Sequence, residues 1–328
     1  MKNVTLQGIT APVLTPFCEN GEVNTDEYAR LIQYITGCGI KGIFVGGTSG
    51  EFVNLRMEER EKLLDAAREA VEKDTTVLFN VTAMNEYELY HMIEWGRKKG
   101  ADAVSVTAPH YHRYDEKALC RYFGKVAEAA EGMPVYLYNM SGMTNNPITP
   151  AILKTVAEQH RNICGVKDSS MDFMTLLNYQ IAMEKMDFEL ITGNDAQVLP
   201  ALQAGASGGI IAVASVFPEL AVSIWNHFKD DNIEAARESQ KKVLRIRELF
   251  RTVMPTIAHK EALKLQGFDM GPSRFPFRDL TGEERERLKK GLEDLGITLQ
   301  PTQIDRACFR TPEGILALAR GAAGSRWY

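Results

Sequence analysis

Residues 76–82 read TVLFNVT, apolar at most positions and without a regular alternation of wet and dry side chains. A strand with one face in water alternates with period two. A strand covered on both faces does not, and parallel sheets are covered on both faces. Seven more runs share the character: ITAPVLT (9–15), GIFVGG (42–47), AVSVT (103–107), VYLYN (135–139), ICGVK (163–167), FELIT (188–192) and GGIIAVA (208–214).

Helical periods lie between these runs. Tyr28, Leu31, Ile32 and Ile35 fall on one helical face, as do Leu63, Leu64, Ala67, Ala70 and Val71. Leu89, Met92, Ile93 and Gly96 repeat the pattern, and so do Leu119, Tyr122, Phe123 and Val126. Asn24 with Glu27 and Asn85 with Glu88 have the spacing of capping boxes, and Thr149-Pro150 that of an N-cap followed by proline at the first helical position. Eight βα repeats, spaced roughly 20 to 34 residues apart, predict an α/β protein with a (β/α)8 TIM barrel. The rival, a doubly wound sheet, needs only about six strands and a GxGxxG turn after an early one. The chain has neither feature.

The chain has 328 residues, 45% apolar and 25% charged, an ordinary globular balance that excludes disordered, collagenous and disulfide-framed classes. At about 150 residues per domain two domains are expected, but a barrel takes ~250 and leaves about 75 over. Helical periods at Ile233–Phe250, 256–265 and 283–295 take up most of that surplus. The predicted layout is a catalytic barrel over 1–225, a C-terminal helical extension over 226–297 and a tail over 298–328. In the tail, 315–320 has the pattern of a short helix, and 321–328 reads as a disordered or extraneous end.

A net charge of −5 offers no basic face for nucleic acid. Five scattered cysteines (Cys18, Cys38, Cys120, Cys164, Cys308) fit reduced thiols, and MKNVTLQG lacks the apolar core of a signal peptide. The uncharged stretch 196–218 contains Gln197, Pro200, Gln203, Gly205, Gly208 and Gly209, which suit a short helix and a buried strand better than a membrane span. The expected setting is the cytoplasm, with no membrane partner.

Barrel enzymes carry their sites at the C-terminal ends of the strands. There the chain has Gly46-Gly47-Thr48-Ser49-Gly50-Glu51, His110-Tyr111-His112-Arg113-Tyr114, Tyr138-Asn139, Lys167 and Gly193-Asn194-Asp195. A lysine ending an apolar strand is poorly hydrated, which favours the neutral amine and makes it a nucleophile for a carbonyl substrate. Position alone equally allows a lysine snorkelling to the rim. Thr48 and Ser49 after a double glycine could hold a carboxylate through hydroxyls and turn amides, or could simply cap the next helix. Tyr138 by itself is a core aromatic and Tyr111 an exposed loop aromatic.

Taken in order, Gly47-Thr48-Ser49-Gly50-Glu51, Tyr138-Asn139, Gly165-Val166-Lys167-Asp168-Ser169 and Gly193-Asn194-Asp195-Ala196 resemble the dihydrodipicolinate synthase / N-acetylneuraminate lyase family of pyruvate-dependent class I aldolases, from about residue 8 to 297. The resemblance implies that Lys167 forms the Schiff base with pyruvate and that Tyr138 shuttles protons through a relay including Thr48. Tyr111 would belong to that relay in the neighbouring subunit's site. Thr48 and Ser49 would hold the pyruvate carboxylate. Gly193 and the Ile211 carbonyl would lie on the substrate side, and the assembly would be a homotetramer, a dimer of dimers.

Three departures bear on the acceptor. Met143 stands where synthases carry an Arg for the distal carboxylate of aspartate semialdehyde, and a thioether cannot donate to a carboxylate. Ser141 replaces a usual proline. Ala196 and Ala212 replace a Glu and a Ser that bind sugar in neuraminate lyases. His110, His112, Arg113, Ser141 and Asn145 remain as polar candidates. His110 and His112 alternate, but without a carboxylate or third His they are a weak metal signal, and a Schiff base needs no metal or cofactor. The expected function is reversible aldol cleavage or condensation of a 2-keto-3-deoxy or 4-hydroxy-2-oxo acid. The alternatives are 4-hydroxy-tetrahydrodipicolinate synthase activity with Arg113 as substitute cation, a dehydratase using the same imine, and a noncatalytic pyruvate-binding paralogue.

Overall fold

In a computed structural model, which describes residues 4–299, eight strands close into a parallel barrel in chain order, with the last paired to the first. The strands are β1 (Gly8–Pro12), β2 (Gly42–Val45), β3 (Thr76–Asn80), β4 (Ala103–Thr107), β5 (Val135–Asn139), β6 (Ile163–Asp168), β7 (Glu189–Thr192) and β8 (Gly208–Ile210). Helices between them are α1 (Thr25–Gly37), α2 (Met57–Ala70), α3 (Glu86–Lys98), α4 (Glu116–Ala129), the short α5 (Ser141–Thr144), α6 (Pro150–Gln159), α7 (Phe173–Met183) and α8 (Val198–Gln203). The apolar stripe of α1 buries Tyr28, Leu31, Ile32 and Ile35 against the sheet. Asn24, Asn85 and Thr149 each accept a backbone N–H in the first turn they cap, at 3.1, 3.0 and 3.2 Å. Both expected boxes are only half built: no bond from the Asn85 N–H to the Glu88 carboxylate forms among the described residues, and the Glu27 carboxylate turns to Arg30 and to the Asp269 N–H.

Apolar side chains divide between two cores. One lies between sheet and helices. The other fills the barrel with Leu6, Phe44, Leu78, Tyr136, Tyr138, Ile191 and Ile210. The bottom is sealed where Glu189 accepts from Leu6 N–H (2.9 Å) and from the Tyr136 hydroxyl (2.6 Å). The mouth lies at the other end. GGIIAVA proves to be strand only through Ile210; a 3-10 turn at Ala212–Ser215 follows, with the Val213 N–H given to Asp195 at 2.8 Å.

The eighth barrel helix, α9 (Pro218–Lys229), spans the boundary drawn at 225/226, so the barrel's own helices run to Lys229. Then come α10 (Ile233–Phe250), α11 (Pro255–Leu265) and α12 (Gly282–Asp294), close to the helical periods in the sequence. The helix expected at 315–320, the end at 321–328 and Cys308 lie outside the described residues. No described helix is long and apolar enough to cross a membrane, and Cys18, Cys38, Cys120 and Cys164 are free.

The segment between α11 and α12 returns to the barrel through Arg274, which grips the Glu59 carboxylate with both Nη atoms at 2.8 Å and lies 4.2 Å over the Phe17 ring. Burial opposes the Glu59 charge, but Arg274 and the Arg56 N–H outweigh it and hold the carboxyl down at about 2 from 4.5. A depressed carboxyl contributes stability above its unfolded value and loses it as pH falls toward the folded one. We therefore expect Glu59→Gln to lower Tm by a constant amount above pH ~5, and that deficit to shrink as pH drops below ~4.5. Thermal melts of both proteins across that range check it; a pH-independent deficit contradicts it.

Candidate active site

The site is built on the pairing of β5 with β6. Val135 pairs with Ile163, but Tyr136 then pairs with Gly165, so Cys164 is an extra residue. A one-residue slip exchanges the two faces of a strand. Ile163 and Val166 thus face the helices with Val135 and Leu137, while Lys167 pairs with Tyr138 and shares the barrel interior with it. Gly165 leaves room below: a Cβ there would come within 2.6 Å of the Tyr136 ring.

Lys167 is 5% exposed, and among the described residues no carboxylate pairs with it. Its Nζ lies 4.1 Å from the Tyr138 ring centroid and 4.9 Å from that of Phe44. The two rings meet edge-on with centroids 6.1 Å apart. Each face offers an ammonium about 0.5–2 kcal/mol, replacing part of its lost hydration. The Tyr138 hydroxyl is 3.2 Å from Thr48 Oγ1. Phe44 was not among the sequence candidates. In the fold its ring fills the space beside Gly47, where a Cβ would come within 2.7 Å of it.

One residue further along both strands, on the other face, Asn139 Nδ2 donates to Asp168 Oδ1 at 2.7 Å. Asn139 Oδ1 accepts the Ile148 N–H at 3.1 Å, and Ser170 Oγ donates to Asp168 Oδ2 at 2.9 Å. Burial raises the Asp168 carboxyl above its ordinary value; the Asn139 and Ser170 hydrogen bonds pull the other way. Gly193 packs on the lysine stem, its N–H given to Asp168 O at 2.7 Å. A Cβ at that glycine would overlap Ser169 Oγ and lie 2.9 Å from Lys167 Cε.

The turn after β2 brings Thr48 and Ser49, both half-buried, to the mouth, closed by a hydrogen bond from Glu51 N–H to Thr48 O at 3.1 Å. The sequence offered no partner for Glu51. In the fold its carboxylate is buried against Lys260 of α11. Ile211 is buried beyond β8, with its carbonyl accepting the Ala214 N–H at 3.2 Å. Lys167, Tyr138, Thr48 and Gly193 thus come together. Tyr111 does not join them within the chain: it is 80% exposed, with φ +80° and its ring set edge-on to His112. Met143, on α5, is 65% exposed at the rim, and Arg113 is exposed on the loop after β4. Among the described residues no group of three or more His, Cys, Asp or Glu side chains could hold a metal ion.

Comparison with known proteins identifies the family and the fold. Residues 5–295 match the family model described as the dihydrodipicolinate synthetase family. An uncharacterised DapA-like lyase of Pyrococcus horikoshii is 33% identical over 282 residues, 85% of this chain and 96% of that one. A 4-hydroxy-tetrahydrodipicolinate synthase of Acetivibrio thermocellus is 32% identical over 298 residues, 90% of this chain and all of that one. The fold superposes with a TM-score of 0.86 on YagE, a prophage protein of the dihydrodipicolinic acid synthase family from E. coli K12 solved in complex with pyruvate. That protein is 28% identical, and the match covers 90% of this chain and all of that one.

The Asn139–Asp168 clamp predicts a stability effect. Asn139→Leu keeps the shape but strands the Ile148 N–H and removes a donor from a buried carboxylate, which should cost about 2–4 kcal/mol. Urea unfolding measures it; a midpoint equal to the parent's contradicts the clamp.

Proposed function

The chain belongs to the dihydrodipicolinate synthetase family and is a lyase of it; we propose that its reaction runs through an imine between Lys167 and pyruvate, making and breaking the carbon–carbon bond of a 2-keto-3-deoxy or 4-hydroxy-2-oxo acid. The observation that carries this is the buried Lys167 amine, unpaired by any described carboxylate and seated beside a tyrosine whose hydroxyl is 3.2 Å from Thr48. In the condensation direction the Lys167 amine adds to the pyruvate C2 carbonyl, and the carbinolamine loses water to give a protonated imine. Loss of a C3 proton gives the enamine, whose C3 attacks the aldehyde carbon while the aldehyde oxygen takes a proton. Water then releases product and restores the amine; cleavage is the reverse. Tyr138 moves the protons at the carbinolamine and at the aldehyde oxygen, with Thr48 as its relay. The iminium is the electron sink, so the chemistry calls for no metal or cofactor.

Thr48 and Ser49 are the proposed carboxylate seat. Tyr111, exposed and held at positive φ, is proposed to complete the relay of a neighbouring subunit in a homotetramer, a dimer of dimers. Free thiols at four positions support a reducing, cytoplasmic setting. Genuine 4-hydroxy-tetrahydrodipicolinate synthase activity is the second choice, favoured by the Acetivibrio thermocellus relative. Met143 weighs against it, because a thioether stands where a cation would hold a second carboxylate.

Incubation with pyruvate and borohydride should give a mass adduct mapping to Lys167 and absent in Lys167→Met. No adduct refutes the imine. Tyr138→Phe should still trap pyruvate but turn over about 10²- to 10⁴-fold more slowly. A screen of aldehydes should favour uncharged hydroxyaldehydes over aspartate semialdehyde. The reverse preference would establish the synthase, water loss from a hydroxy acid the dehydratase, and trapping without turnover the noncatalytic paralogue.

A further inference from the structure

Glu51 closes the turn that carries Thr48 and Ser49, yet its partner comes from the C-terminal extension. Its side chain is fully buried, and that of Lys260 on α11 is 3% exposed. The two form an ion pair, and among the described residues neither Glu51 oxygen nor Lys260 Nζ has a further hydrogen-bond partner. Lys260 Nζ lies 4.2 Å from the Phe17 ring centroid. Burial pushes the Lys260 amine down, and the Glu51 charge pulls it up.

Three contacts make this pair part of the turn's shape. Glu51 is held at φ 62° and ψ 31°, a left-handed conformation that a non-glycine residue keeps only when its surroundings impose it. Its N–H closes the turn on Thr48 O. Gly50 is wedged from the other side: its carbonyl accepts Thr15 Oγ1 at 2.7 Å, and a Cβ would come within 2.9 Å of Val13 O. The turn is therefore pinned to the loop after β1 at Gly50 and to α11 at Glu51. Without Lys260 the Glu51 side chain would be left buried and unpaired, which weakens its hold on the backbone of 48–51.

We propose that Lys260 is a positioning residue for the site: through Glu51 it sets the turn that presents Thr48 to Tyr138 and Ser49 to the substrate carboxylate. This gives the C-terminal extension a part in catalysis without contact with substrate. It rests on the pyruvate-imine chemistry above. A pair present only for stability would act on melting alone, since buried ion pairs are weak stabilisers compared with apolar replacements.

The test compares Lys260→Met, Lys260→Arg and the double variant Glu51→Gln/Lys260→Met with the parent. Melting temperature, pyruvate KM, kcat and hydrogen exchange of the turn 47–51 are measured on each. Lys260→Met should raise pyruvate KM roughly 10- to 100-fold and speed exchange in the turn. The double variant, with neither charge of the pair left, should regain melting temperature while KM and exchange stay high; Lys260→Arg should recover part of the KM. The inference is overturned if folded Lys260→Met keeps the parent's KM and exchange, if the double variant restores melting and KM together, or if neither folds. If the parent itself traps no pyruvate under borohydride, the imine chemistry fails instead, and the exchange of the turn alone decides the role of Lys260.

Discussion

One register shift sets the site on which the proposed chemistry depends. Had β6 paired with β5 without the extra residue at Cys164, Lys167 would stand opposite Asn139 and face the helices, and Val166 would enter the barrel beside Tyr138. With the shift, the lysine and the tyrosine occupy adjacent strands at one level of the interior. The Asn139–Asp168 hydrogen bond holds that level from outside, and Gly165 clears the space beneath for Tyr136. The same pairing that closes the barrel also places the proposed nucleophile against the proposed proton carrier.

Such a lysine is costly to bury alone. The barrel meets that cost with the faces of Phe44 and Tyr138 rather than with a carboxylate. A carboxylate at ion-pair distance would hold the amine to one geometry, whereas aromatic faces shelter it from several directions. The sealed lower end, where Glu189 joins Tyr136 to Leu6, leaves the mouth as the open side for substrate.

The architecture was legible because parallel strands covered on both faces write themselves as unbroken apolar runs, and helices against them keep a 3.6-residue stripe. Six of the eight strands start where the pattern places them, and AVSVT and VYLYN end there as well. The same absence of alternation hid which face each residue takes. ICGVK gives no sign that Cys164 is extra, so the company of Lys167 had to come from motif resemblance. GGIIAVA continued as apolar sequence after the ladder had ended, because a buried 3-10 turn is as apolar as a strand. Phe44 and Lys260 escaped notice for a different reason. Their roles depend on contacts across about 120 and 210 residues of chain, and neither a core aromatic nor a helix lysine announces such a partner in sequence.

A crystal structure of the enzyme equilibrated with pyruvate tests the central claim most directly. Continuous electron density from Lys167 Nζ to C2 of pyruvate is predicted, with the carboxylate against Thr48 and Ser49 and the Tyr138 hydroxyl beside the new bond. Pyruvate bound without a covalent link, or bound elsewhere with Lys167 free between Phe44 and Tyr138, would contradict it.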